Sequence, residues 1–432
     1  MKHRPRLRHE ARSTPPRRLP PARAHAAPLL RFRGWLVVAG AFAVLMVGFG
    51  AACSFAAFAT ALGDEFGASR AHVSLVFVLG GFTTFTVSAL TGPLADRVGP
   101  RPLAVTGMLL VALGLLTAAA AATLTEVILC YGLVIGLGVG FAYVPAIAAV
   151  QRWFTVWRGL ASGIAAAGIG FGTALVGPAA GLLAGFGDWR TAFMLSALGV
   201  AAVGVAGALL LDPMPEARGL APDGAASIPP RAGAPIPEAG GPRLRAALLS
   251  RDFALLYGGT LLLSIPVALP FAHLVHAAQD AGLPRTEALA LLSILGIGSI
   301  AGRCILGALA DGIGRRATFL LCCAGIAAMT ALWAMADAGL LIAFALGFGL
   351  FYGGFVALLP AFAADRFGRR DAAGVIGVLY TGRGNALLVA APLLALLGEG
   401  LAGYAVPLLI AALLGATGVA MVAMTGAARR GG

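Results

Sequence analysis

The chain has 432 residues, of which 59% are apolar and 11% charged, with a mean hydropathy of +0.91. Soluble domains carry about 25% charged residues, so a water-exposed globular fold is excluded. The net charge of +13 is concentrated in residues 1–33, which hold ten of the 31 basic residues and one acid, so it marks a tail and not a nucleic-acid surface.

That tail, rich in Arg, Pro and Ala, has neither the apolar stretch nor the cleavage site of a secretory signal. It is expected to be a disordered, basic cytoplasmic segment. After it come twelve continuous apolar segments, each long enough to cross a core of about 30 Å. They cover residues 34–60, 72–94, 102–122, 126–150, 159–185 and 191–211, then 253–277, 286–309, 317–336, 339–363, 372–396 and 404–425. A transmembrane barrel would instead show alternating segments of about 10 residues. Between the two groups of six, residues 212–252 hold eight of the 25 prolines and read as a polar linker. The expected domains are thus the tail 1–33, a six-helix half 34–211, the cytoplasmic linker 212–252, a second half 253–425 and a short cytoplasmic tail 426–432.

Arginine placement sets the orientation. With both termini cytoplasmic, 26 basic residues fall inside and three, Arg70, Arg190 and Arg285, fall outside. The remaining two, Arg303 and Arg383, lie within apolar segments. The halves also repeat. Gly92-Pro-Leu-Ala-Asp-Arg-Val-Gly-Pro-Arg101 and Gly307-Ala-Leu-Ala-Asp-Gly-Ile-Gly-Arg-Arg316 agree at six of ten positions, offset by 215 residues. The same offset relates Pro145 to Pro360 and Gly159 to Gly374. An even number of segments separates the copies, so the repeat is parallel about the membrane normal. Transporters built this way bind substrate between the halves near the midplane.

The two buried charges point to the ligand. Arg303 lies about 12 Å along its helix from Asp311, and Arg383 about 18 Å from Asp371. Both therefore sit near the middle of the core, where no Asp or Glu of the apolar segments lies. Intramembrane charges are costly and mark substrate paths; an arginine pair without an acid calls for an anion, and guanidinium holds carboxylate through two bonds. Other residues are less specific. Tyr143, Tyr257, Phe351, Tyr352 and Tyr380 are aromatic candidates for a cavity wall. His273 and His276 lie toward the outer end of the seventh segment. Cys53, Cys130, Cys304, Cys322 and Cys323 have no metal-ligand spacing and read as apolar fillers. Gly136-x-Gly-x-Gly140 lies inside a helix and not after a strand, so no dinucleotide site is expected. No cofactor, metal or enzyme-like cluster is expected.

The paired Gly-x-Leu-Ala-Asp loops resemble the signature of the major facilitator superfamily. Three further stretches resemble its oxalate/formate antiporter and monocarboxylate-transporter group: Arg152-Trp-Phe with Arg158-Gly-Leu-Ala-Ser-Gly163, Tyr352-Gly-Gly-Phe-Val-Ala-Leu-Leu-Pro360 with Asp365-Arg-Phe-Gly368, and Tyr380-Thr-Gly-Arg-Gly384. The resemblance implies an all-α integral membrane fold of twelve helices in two pseudo-symmetric halves. It also implies carboxylate binding by Arg303 in helix 8 and by Arg383, at a position where the antiporters carry Lys. Asp96, Arg97, Arg101, Asp311, Arg315 and Arg316 are then expected in a cytoplasmic gate near the starts of helices 11 and 5. Tyr143, Tyr352 and Tyr380 are expected at the substrate. Proton-linked relatives often place Asp one turn before the helix 8 Arg, where this chain has Ser299.

The expected activity is secondary transport of a mono- or dicarboxylate by alternating access, through anion exchange or proton symport. The expected setting is a monomer in the bacterial inner membrane, with protons or a counter-anion as coupled partners. The alternatives are a drug/proton antiporter, suggested by Gly177-Pro-Ala-Ala-Gly181 and requiring an acidic cavity, or a non-transporting membrane sensor, requiring an appended signalling domain.

Overall fold

The structure, a computed structural model, describes residues 32–68, 70–185, 188–224, 243–337, 339–398 and 405–426. Residues 1–31 of the expected N-terminal tail, 427–432 of the C-terminal tail and 225–242 of the linker lie outside them.

The first six helices are α1 (Gly34–Phe66), α2 (Arg70–Val98), α3 (Pro100–Ala119), α4 (Leu124–Trp153), α5 (Arg158–Gly185) and α6 (Trp189–Leu209). The second six are α7 (Arg251–Asp280), α8 (Arg285–Ile313), α9 (Arg315–Ala334), α10 (Leu340–Phe367), α11 (Ala372–Gly398) and α12 (Ala405–Ala423). Among the described residues ten of these are long and apolar enough to cross a membrane; α5 and α11, of 28 and 27 residues, complete the twelve. Helices are the natural outcome because hydrocarbon offers no partner to an open backbone N–H or C=O. Several run past their apolar windows, as α2 does through Asp96 and Arg97 and α10 through Asp365 and Arg366. Charged residues there continue the helix into the interface.

The repeated loops turn at Gly99 (φ +95°) and Gly314 (φ +104°), one repeat apart, a backbone region that side chains with a Cβ avoid. That conformation explains why both copies keep glycine there. Within α4, residues Ile128–Ile135 wind as a π-helix, a distortion found mostly at functional sites. At the start of α4 the Thr123 hydroxyl accepts the Glu126 backbone N–H and the Glu126 carboxylate accepts that of Ala122, which keeps the carboxylate at the helix end.

The halves meet along α2 with α11 and α5 with α8. These are two copies of one contact, since the 215-residue offset carries α2 onto α8 and α5 onto α11. Small residues let the backbones close: an added Cβ at Gly163 would lie 2.0 Å from the Arg303 carbonyl, and one at Gly377 would lie 2.1 Å from the Ser88 carbonyl.

The linker is more ordered at its ends than its prolines suggest. Short 3₁₀ turns form at Pro215–Arg218 and Pro222–Gly224, and a one-turn helix at Leu244–Leu248. Asp223 holds the first stretch down by accepting the backbone N–H groups of Thr155 and Val156, both at 2.9 Å.

Candidate functional site

A cavity of about 460 Å³ lies between the halves. Its deep end is lined by Tyr143 of α4, Arg303 of α8, Tyr352 of α10 and Arg383 of α11, and its far end by Phe77 and Val78 of α2 and by Phe271 and His273 of α7. The latter lie at the helix ends remote from the repeated loops, so the cavity runs from mid-depth toward that side. The side chain of His276 lies outside those described, as do most of Gly177-Pro-Ala-Ala-Gly181.

Both arginines reach this cavity. Arg303 is 2% exposed, and its Nε and Nη1 have no hydrogen-bond partner. An added Cβ at Gly170 would stand 2.8 Å from Arg303 Nη1, so the bare glycine makes room for the guanidinium. Arg383 is sheathed in rings: its Cζ lies 5.1 Å from the Phe85 centroid, 5.6 Å from Tyr380 and 6.0 Å from Phe355. Ring faces attract a cation but do not neutralise it. Among the described lining residues there is no Asp or Glu.

The hydroxyls of the wall sort themselves by what they already hold. Thr84 donates to the Gly136 carbonyl (3.1 Å), Thr173 to Gly170 (2.9 Å) and Ser264 to Thr260 (2.7 Å). The buried Ser299 Oγ has no such partner. It lies one helical turn before Arg303, on the same face of α8, so the unspent polar atoms cluster at the deep end.

The aromatic candidates divide. Tyr143 and Tyr352 line the cavity. Tyr380 does not line it; it sits behind Tyr143, ring stacked at 5.0 Å, with Tyr143 donating its hydroxyl to it at 3.2 Å. Tyr257 instead bonds Thr381 at 3.1 Å, and Phe351 fills the space beside Gly325. Phe49 and Phe85 also line the wall; apolar helices full of phenylalanine give no sequence signal for which ring faces inward. Of the cysteines, Cys53 lines the cavity, and all five are free thiols.

At the opposite end the halves are sealed by charge. Asp96 accepts the backbone N–H of Gly374 at 2.7 Å and of Ala373 at 3.3 Å, and pairs with Arg152. Its repeat copy Asp311 accepts Gly159 and Leu160, both at 2.8 Å, and pairs with Arg315 at 3.0 Å. Each carboxylate thus caps the first turn of a helix in the other half, where the dipole favours negative charge. Asp365 of α10 joins them by pairing with both Arg158 of α5 and Arg315. Arg369 reaches across to the Arg152 carbonyl and to Glu216, the latter at 3.2 Å.

Three of the six expected gate residues, Asp96, Asp311 and Arg315, meet in this seal. The others lie elsewhere. Arg97 is exposed. Arg101 bonds Asp212, the first residue of the linker, at 2.6 Å and does not reach the other half. Arg316 donates to the Ala423 and Thr425 carbonyls at the end of α12, at 2.8 and 2.9 Å. Their neighbours Arg152, Arg158, Asp365 and Arg369 hold the interface instead. Loop arginines one residue apart point in different directions, and sequence spacing does not say which one faces the partner half.

The fold, the buried charges and the two-fold repeat define a membrane transporter. The sequence profile of the Major Facilitator Superfamily matches residues 40–271 and 254–430, and the chain belongs to that family. It is 29% identical over 391 residues to monocarboxylate transporter 12-B of Danio rerio, across 83% of this chain and 80% of that one. It is 31% identical over 283 residues to monocarboxylate transporter 13 of Rattus norvegicus, across 65% and 62% respectively. The proton:xylose symporter XylE, solved with 6-bromo-6-deoxy-D-glucose, superposes with a TM-score of 0.73 at 14% identity, over 91% of this chain and 96% of that one. The chain is therefore a multi-pass membrane protein of a transporter family and not an enzyme.

Proposed function

We propose that the chain moves a small organic anion, a mono- or dicarboxylate, by rocking the halves 34–211 and 253–425 about the arginine pair. One observation carries this reading: Arg303 is buried with two donor atoms unsatisfied, in a cavity whose described wall offers Arg383 and no acid. A buried cation without a partner costs several kcal/mol, and a carboxylate between the two guanidinium groups removes that cost. The monocarboxylate transporters among its relatives support the same substrate class. A basic cavity also opposes the cationic substrates of a drug/proton antiporter.

In this reading Arg303 and Arg383 hold the carboxylate, Ser299 adds a hydroxyl, and Tyr143 and Tyr352 flank it, with Tyr380 backing Tyr143. Asp96, Asp311 and Arg315 with Arg152, Arg158 and Asp365 form the closed gate. Arginine placement assigns that end, with both termini and the linker 212–252, to the cytoplasm, so the conformation faces outward. With no acidic group in the described wall, the proton arrives on the substrate or a second anion returns in exchange.

Counterflow in proteoliposomes tests the reading. Vesicles loaded with one unlabelled carboxylate should accumulate labelled carboxylate transiently, and neutral or cationic solutes should neither drive nor inhibit it. Counterflow of a neutral or cationic solute with none of any carboxylate would overturn it.

A further inference from the structure

A second cavity, of about 380 Å³, lies where α2, α3 and α6 end. It is lined by Val98, Gly99, Pro100, Arg101, Asp212 and Arg218, among others. Asp212 is its hub. The carboxylate accepts from Arg101 at 2.6 Å, from Arg218 at 2.8 Å and from Arg33 at 3.1 Å. Trp153 fixes the backbone there by donating its indole N–H to the Asp212 carbonyl at 3.1 Å. Burial pushes the Asp212 carboxyl up, but bonds from Arg218 and Arg33 outweigh it and hold the group below the usual carboxylate range. It is therefore ionised, and one negative charge faces three positive ones.

The surplus is not spent inside the protein. All three arginines keep roughly two-fifths of their side chains exposed, while Asp212 is buried. The pocket sits at a defined depth: the spanning helices α2 and α6 end at Val98 and Leu209, and α3 begins at Pro100. Val98 of its lining is an exposed apolar side chain, as are Leu94, one turn before it on α2, and Leu209 and Leu210, just before Asp212 in the chain. A basic pocket at the level of span ends, with an apolar wall leading away from it, matches a molecule with an anionic head and hydrocarbon chains.

We propose that this pocket binds the phosphate of an anionic membrane lipid, with Arg101 and Arg218 holding its oxygens and the acyl chains lying along the neighbouring leucines. Guanidinium matches phosphate oxygens in pairs. Free phosphate shares the head's chemistry but leaves the apolar wall uncovered.

The experiment uses full-length protein in neutral detergent, titrated with phosphatidylglycerol and read by native mass spectrometry. Phosphatidylcholine and inorganic phosphate are the comparison probes. The test variant is Arg101→Gln/Asp212→Asn/Arg218→Gln, which removes the acid with two of its three partners and leaves only the half-exposed Arg33 without its ion pair. Wild-type protein should retain phosphatidylglycerol at least about tenfold more tightly than the variant, the scale set by two cations at an anionic surface. Arg218→Gln alone, on a 3₁₀ turn outside the helices, should show a smaller loss and serves where the triple variant fails to fold. Equal retention by wild type and Arg218→Gln, or no preference for phosphatidylglycerol over phosphatidylcholine, overturns the proposal. Displacement of the lipid by inorganic phosphate at equal concentration overturns the lipid assignment in favour of free phosphate.

Discussion

Gly159, in the first turn of α5, donates its backbone N–H to Asp311 in α8 at 2.8 Å, and Gly374 of α11 does the same to Asp96 of α2 at 2.7 Å. All four residues are related by the one 215-residue offset. Each carboxylate therefore holds the repeat copy of the glycine that its own repeat copy holds. Two equivalent clasps close one end of the molecule, and both must release for the halves to part there.

Asp96→Asn weakens one clasp. The amide loses the ion pair with Arg152, whose side chain is 5% exposed, while keeping an acceptor for Gly374. Hydrogen bonds to a charged group contribute about 1.5–3 kcal/mol, so the closed state should lose tenfold or more in population. Turnover should fall, whereas substrate affinity at the distant arginines should stay within about twofold. Binding by isothermal calorimetry and uptake in proteoliposomes separate the two; lost affinity at normal expression would remove Asp96 from the gate.

The close approach of α5 and α8 should be equally sensitive. Any Cβ at Gly163 meets the Arg303 carbonyl, so Gly163→Val should push the helices apart. A cysteine at Ala310, 1% exposed in this closed end, should then alkylate at least tenfold faster in a background without native cysteines. An unchanged rate would show that this contact does not close the end.

On the far side, Trp189 and Arg190 of α6 both donate to Glu65 of α1, Arg190 at 2.7 Å. The bond from Trp189 first, then that from Arg190, lowers the Glu65 pKa below its ordinary 4.5. A lowered folded-state pKa means stability that is present above the unfolded value and lost as pH falls through the folded one. The Tm difference between wild type and Glu65→Gln should be full above about pH 5.5 and should vanish at lower pH. A difference that grows on acidification would reverse the assignment.

How far the sequence leads depends on which physical term decides each feature. Twelve helices are legible because hydrocarbon enforces both their length and their apolarity. The resemblance names Asp96 and Asp311 as gate residues and the repeat relates Gly159 to Gly374, but a shared offset does not say that each carboxylate holds a glycine of the other half. The ladder of Arg152, Arg158 and Asp365 is not legible either, because each pairs with a residue 56 to 207 positions away. Arg97 and Arg101 carry the same charge in the same loop, yet neither enters the seal. Arg303 and Arg383 stand out from sequence alone, since a lone charge in an apolar run has no cheap explanation. Ser299 is marked in the sequence only as the place where proton-linked relatives carry Asp; its unspent hydroxyl is not legible, because hydroxyls in such helices ordinarily bond their own backbone.

The arginine pair gives the decisive prediction. Arg303→Gln removes the cation whose Nε and Nη1 lack partners, and Arg383→Gln removes the one held among Phe85, Tyr380 and Phe355. If one carboxylate bridges them, each substitution should cost about 2–5 kcal/mol of affinity, the range for truncating one side of a buried charged contact. Arg383→Lys should cost less, since an ammonium still stacks on the rings, but it loses the planar fork. Substrate should also slow alkylation of a cysteine at Ser299, which shares the Arg303 face of α8. The two Gln variants should stay folded, because each removes a buried charge and strands none. Wild-type carboxylate counterflow in both Gln variants would show that neither arginine holds the substrate.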